Sequence, residues 1–79
     1  MEYTQERANI DVAASVDNIL ICEEIQAIAE ADRTEDQVGD LFRSQRHLKL
    51  KMLKELFVST LPTDQANRIA ALKLSPLDE

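Results

Sequence analysis

The sequence predicts an all-α fold: an antiparallel hairpin of two long helices plus a short C-terminal helix, assembling into an oligomeric helical bundle. Three observations carry this expectation. Apolar residues recur at three- and four-residue steps through most of the chain. One Gly and two Pro are the only strong breakers in 79 residues. The two long periodic stretches are joined by a connection too short for anything but antiparallel neighbours.

Residues 1–8 are polar and form a partly ordered N-terminal arm, in which Thr4 can cap an early turn. From about Asn9 to Ala31 runs the first long helix, IDVAASVDNILICEEIQAIAEA, with two apolar stripes. One is Ile10, Ala14, Ile21, Ile25 and Ile28; the other is Val12, Val16, Leu20 and Ala27, with Ile19 at its margin. A helix that is apolar on two sides is normally buried on two sides. The second long helix covers one stripe, so the other needs the short C-terminal helix or another copy of the chain. The oligomer seam is therefore expected among Val12, Val16, Ile19, Leu20, Ile21, Ile25 and Ile28.

Ala31–Thr34 makes the turn. Thr34 then opens a second helix expected to run unbroken to Leu61, TEDQVGDLFRSQRHLKLKMLKELFVSTL. Thr34 with Gln37 reads as a capping box, in which each side-chain oxygen accepts from the other residue's backbone N–H. Glu35 and Asp36 suit the positive end of the helix dipole. Pro62 disfavours helical geometry at Leu61 and ends the run. Val38, Leu41, Gln45, Leu48, Met52 and Leu56, flanked by Leu53, form the inward face. Arg43, Arg46, His47, Leu50, Lys51, Lys54, Phe57 and Leu61 fall on the other, where basic and large apolar side chains alternate. Beyond Pro62, Thr63 or Asp64 caps a short helix, DQANRIAALKL, with Ile69, Leu72 and Ala66 as its apolar edge. Residues 9–74 thus form one helical domain, and 75–79 a loose tail.

Charge is unevenly spread. The net charge is −6, and residues 1–40 hold eleven of the fifteen acids against two of the nine basic residues. Residues 41–54 hold five basic residues plus His47 and no acid. Antiparallel packing would set Glu23 and Glu24 near Arg43 and Arg46, and Asp17 near Lys49 or Lys51. Exposed pairs of that kind specify alignment more than stability. The alternative is that the basic run faces an acidic partner.

Most specialised chemistry lacks its residues. Gly39 stands alone, so there is no phosphate-cradling glycine loop. The single His has no Glu three residues before it, so the di-iron pattern of helical bundles is missing. One Cys allows no internal disulfide and no Cys/His metal cage, and Cys22 reads as a small buried hydrophobe. No metal or cofactor is expected. No apolar run exceeds four residues, as at Ile19–Cys22, and the polar start lacks a secretory signal, so a cytoplasmic, membrane-free protein is expected. Net acidity and only three aromatics argue against nucleic acid.

The expectation is a non-enzymatic protein–protein interaction module: an adaptor, inhibitor, secretion chaperone or assembly factor. It would cover a surface of a larger protein through Arg43, Arg46, His47, Leu50, Lys51, Lys54 and Phe57, and would also bind itself. Two alternatives stand beside it. One is a dimeric DNA-binding or transcription-modulating protein using the basic run 43–54. The other is a self-assembling scaffold subunit.

Overall fold

The computed structural model describes residues 2–74, and no strand occurs among them. Four helices follow in order: α1 Gln5–Gln26, α2 Glu35–Met52, α3 Glu55–Thr60 and α4 Thr63–Ala71. A 3-10 turn, Glu30–Asp32, interrupts the connection between α1 and α2.

Helix α1 begins four residues before the expected Asn9 because Thr4 is its N-cap. The Thr4 backbone is extended, and its hydroxyl accepts the Arg7 N–H at 3.2 Å, satisfying one of the donors that a helix start leaves orphaned. The helix also stops earlier than expected, at Gln26. The Ile28 N–H reaches back only three residues, to the Ile25 carbonyl, and the Arg33 Nε–H then takes the Ile28 carbonyl at 3.0 Å. The connection is therefore longer than the expected Ala31–Thr34 turn.

The buried face of α1 is Ala8, Asp11, Val12, Ser15, Ile19, Cys22 and Ile25. This single stripe draws members from both expected stripes. Ala8, Ser15 and Cys22 recur every seven residues on it and are fully buried. Small side chains at that spacing let the packed helices approach closely. The Ser15 hydroxyl donates a hydrogen bond to the Val12 carbonyl at 2.8 Å, so its polar atom is satisfied within its own helix. Within the expected oligomer seam, Val12, Ile19 and Ile25 are interior residues of the chain, Val16 and Ile28 are half-buried, and Leu20 and Ile21 are exposed.

The capping box at the start of α2 forms in full. The Gln37 N–H donates to Thr34 Oγ1 at 3.1 Å, and the Thr34 N–H donates to Gln37 Oε1 at 2.9 Å. The helix buries Leu41, Ser44 and Leu48, with Met52 packed against the core. Val38 and Leu53, expected inside, are exposed.

The expected unbroken helix Thr34–Leu61 does not form. The N–H groups of Leu53 and Lys54 reach back only three residues, to Leu50 and Lys51, and Lys54 turns extended before α3 begins. The cause is tertiary. Continued on the α2 spiral, Phe57 would stand beside Leu50 on the outer side. The break re-aims it, and Phe57 is 0% exposed. By the area it withdraws from water, turning an aromatic ring inward is worth about 4–6 kcal/mol, against about 0.5–1.5 kcal/mol net for each helical hydrogen bond given up.

The core joins Ile19, Cys22 and Ile25 of α1 to Leu41 and Leu48 of α2, with Ile69 of α4 and Leu72 just beyond it. Ile69 and Leu72 occupy the positions their spacing predicts. Helix α1 touches α2, α3 and α4. Ser75–Glu79, expected as a loose tail, lie outside the described residues.

Candidate interaction surface

The charged residues pair differently from the expected scheme. Lys51, expected on the outer face, folds its ammonium onto Asp11 at 2.9 Å and is largely withdrawn from water. Asp11 rather than the expected Asp17 is its partner, six residues nearer the start of α1. Asp11 also accepts the Tyr3 hydroxyl at 2.8 Å and lies 3.6 Å from the Arg7 guanidinium. Burial pushes the Asp11 carboxyl up, but hydrogen bonds from Lys51 and Tyr3 and the charges of Lys51 and Arg7 outweigh it. The net result lies below the ordinary carboxylate range. Tyr3 shifts the other way: burial, then the hydrogen bond to Asp11 and its charge, push its phenol up to about 12.

Glu23, expected near Arg43, instead forms a two-pronged pair with Arg68 of α4, with contacts of 3.0 and 2.6 Å. The hydrogen bonds from Arg68 hold Glu23 below its usual range, and those to Glu23 raise Arg68. Gln26 adds a 3.4 Å bond to the Leu72 carbonyl. These contacts fasten α4 to α1. Arg43 pairs with Asp40 within α2, on the surface.

The seven expected partner-binding residues therefore divide. Phe57 belongs to the interior, and the Lys51 ammonium is already matched by Asp11. Lys54 extends its ammonium over the Tyr3 ring, 4.4 Å from the centroid, a cation–π contact. His47 is half-buried, and its Nε2 is enclosed without a hydrogen-bond partner. Arg43, Arg46 and Leu50 remain on the outside of α2.

Two further residues complete that outer side. Phe42 is 63% exposed and Leu53 71%. Their positions around the helix place them with Leu50, Arg43 and Arg46 on one face, opposite buried Leu41, Ser44 and Leu48. Sequence reading assigned Leu53 to the inner margin and passed over Phe42. The signal is present in the 3.6-residue spacing, which sets both Phe42 and Leu53 away from Leu41, Ser44 and Leu48 whether or not the helix continues past Met52. At its C-terminal end this face opens into a groove of ≈ 490 Å³ lined by His47, Leu50, Lys51, Leu53 and Lys54.

Other chemistry is sparse. Burial, with the charge of Glu23, raises the Cys22 thiol, holding it as an inert thiol rather than a thiolate. Among the described residues, no cluster of His, Cys, Asp and Glu could hold a metal ion, and no helix is long and apolar enough to cross a membrane. No protein family, curated protein or solved structure matches this chain.

Proposed function

We propose that this protein is a non-enzymatic interaction module that docks a partner protein on the outer face of α2. The observation that carries the proposal is the set Phe42, Leu50 and Leu53. These three large apolar side chains stay in water and are interleaved with Arg43 and Arg46. The chain breaks a helix to withdraw Phe57, yet leaves this patch exposed. Contiguous apolar surface edged by charge is the usual mark of a protein-binding site. Arginine and aromatic residues are those most often found at the energetic centre of such sites. The partner surface is acidic and apolar.

In this reading α1 and α2 form an antiparallel hairpin, supported by Lys51 in the last turn of α2 meeting Asp11 in the first half of α1. Two features support a non-catalytic role. The Asp11 carboxyl is held ionised by fixed donors, which does not suit proton shuttling, and the Cys22 thiol is buried away from solvent. The protein reading is favoured over DNA because the basic run is divided. Lys51 is paired inside, Arg43 is engaged by Asp40, and Lys54 lies on Tyr3.

The test is affinity capture from the native host, comparing the wild type with an Arg46→Glu, Leu50→Ser, Leu53→Ser variant. Partners retained by the wild type should be lost from the variant while its helical content stays unchanged. Equal capture by both would overturn the proposal. Affinity for duplex DNA falling by about 0.9 log unit per phosphate contact for each log unit of salt would favour the nucleic-acid reading instead.

A further inference from the structure

We infer that the outer face of α1 is a second docking surface, and that its occupant is the outer face of α2 in another copy of this chain. The inference rests on the reading of α2 given above. Opposite its buried stripe, α1 leaves Ile10, Ala14 and Ile21 exposed, with Leu20 alongside. Glu6, Asp17 and Glu24 on that side are acidic; the one basic residue at its N-terminal edge, Arg7 beside Ile10 and Glu6, lies 3.6 Å from Asp11. Over residues 42–53 the outer face of α2 has a comparable layout with the opposite sign: Phe42, Leu50 and Leu53 with Arg46, and with Arg43, whose charge is shared with Asp40.

The two stripes also match in length. Ile10 and Ile21, like Phe42 and Leu53, stand eleven positions apart, about 16 Å of helix at 1.5 Å per residue. A symmetric pairing of two α1 faces would oppose acid to acid, and one of two α2 faces would oppose base to base. Either arrangement meets like-charge repulsion, which disfavours wrong partners. Acidic face on basic face satisfies both charge and apolar contact. Because α1 and α2 turn their buried faces toward each other, their outer faces point to opposite sides of the molecule. A copy that covers one neighbour leaves its own other face open, so the contact is head-to-tail and extends into rings or open chains. One helix face on another is a small interface, so the association is weak and concentration-dependent.

Sedimentation velocity on the full chain tests this with two charge-reversal variants, Asp17→Lys/Glu24→Lys and Arg43→Glu/Arg46→Glu. All four positions are exposed, and circular dichroism confirms that each variant is folded. The wild type should grow beyond dimer as concentration rises, and added salt should weaken that growth. Each variant alone should stay monomeric, because both of its faces then carry one sign. Mixing the two variants should restore assembly. A wild type that stays monomeric to about millimolar concentration, or that stops at dimer, overturns the inference. So do variants that assemble alone. If only the α2 variant loses assembly, the α1 assignment fails while the docking role of α2 stands. Loss of the captured host partner, measured separately, reports on the α2 reading independently.

Discussion

Replacing Phe57 by Ala distinguishes an interior ring from a surface ring. The side chain is 0% exposed. A buried aromatic withdraws on the order of 150–250 Å² from water, and at about 25 cal/mol per Å² the transfer contribution reaches about 4–6 kcal/mol. Alanine keeps part of this, and aromatic-to-alanine changes in cores cost about 3–5 kcal/mol. At about 0.05–0.15 kcal/mol per residue, a 79-residue chain holds roughly 4–12 kcal/mol in total. Phe57→Ala should therefore remove about a quarter or more of the stability, seen as a lower midpoint in urea unfolding followed by far-UV circular dichroism. Leu53→Ala is the control: at 71% exposure it should change stability by no more than about 0.5 kcal/mol. If Phe57→Ala proves unfolded, Phe57→Leu, which keeps most of the volume, should still cost about 1–1.5 kcal/mol. Equal effects at Phe57 and Leu53, or none at Phe57, would mean that residues 34–61 run as one helix with Phe57 in water.

Other outcomes test the polar contacts. The single tyrosine, with no tryptophan present, gives a clean absorbance titration, and its midpoint should lie near about 12. The folded state favours the neutral phenol, so this contribution to stability is complete below the ordinary tyrosine range and lost as pH rises through about 12. Asp11→Asn should bring the midpoint down; an ordinary midpoint in the wild type would mean that the Tyr3–Asp11 bond is absent. Asp11 itself contributes stability that is present above the usual carboxylate range and fades as pH falls through its lowered value, so the acid side of the stability curve should flatten in Asp11→Asn. Thr34→Ala should lower stability by about 1 kcal/mol in urea unfolding through loss of the capping box. Gly39→Ala should raise the Tm, because glycine within a helix costs about 1 kcal/mol and the added Cβ meets only the mobile end of Arg43, at 3.4 Å. Glu23→Gln should speed hydrogen exchange in α4, and unchanged exchange would mean that Arg68 does not hold that helix.

The all-helical character, the Thr34 cap and the inward Ile69 and Leu72 were legible because each depends on local chemistry. The break at Leu53–Lys54 was not, because no residue there signals it. Its cause is the burial of Phe57 against helices distant in sequence. The same dependence explains the charge pairing. Glu23 meets Arg68 because α4 packs there, a contact between residues 45 apart in sequence. The buried face of α1 is hidden in the sequence for another reason. Apolar residues nearly surround it, so periodicity could not choose a face, and small Ala8 and Ser15 with the paired acid Asp11 mark the buried side better than its isoleucines do. Arg43, Arg46 and Leu50 were placed correctly on the outside, whereas Phe57 and Lys51 had their roles set by packing that the spacing of residues does not report.

Because α1 packs against each of the other three helices, the chain has no smaller part that keeps a core of its own. Truncation within α1 would leave α2, α3 and α4 without their common support, and no fragment lacking it should retain cooperative structure. Unfolding should then be all-or-none, with slow-exchanging amides distributed over α1, α2 and α4 together instead of in separable units. Contacts that join the first helix to the last also make folding slower than in a bundle built only from sequence neighbours. The connection at residues 27–34 is the place where an inserted tag or permuted terminus would disturb this arrangement least.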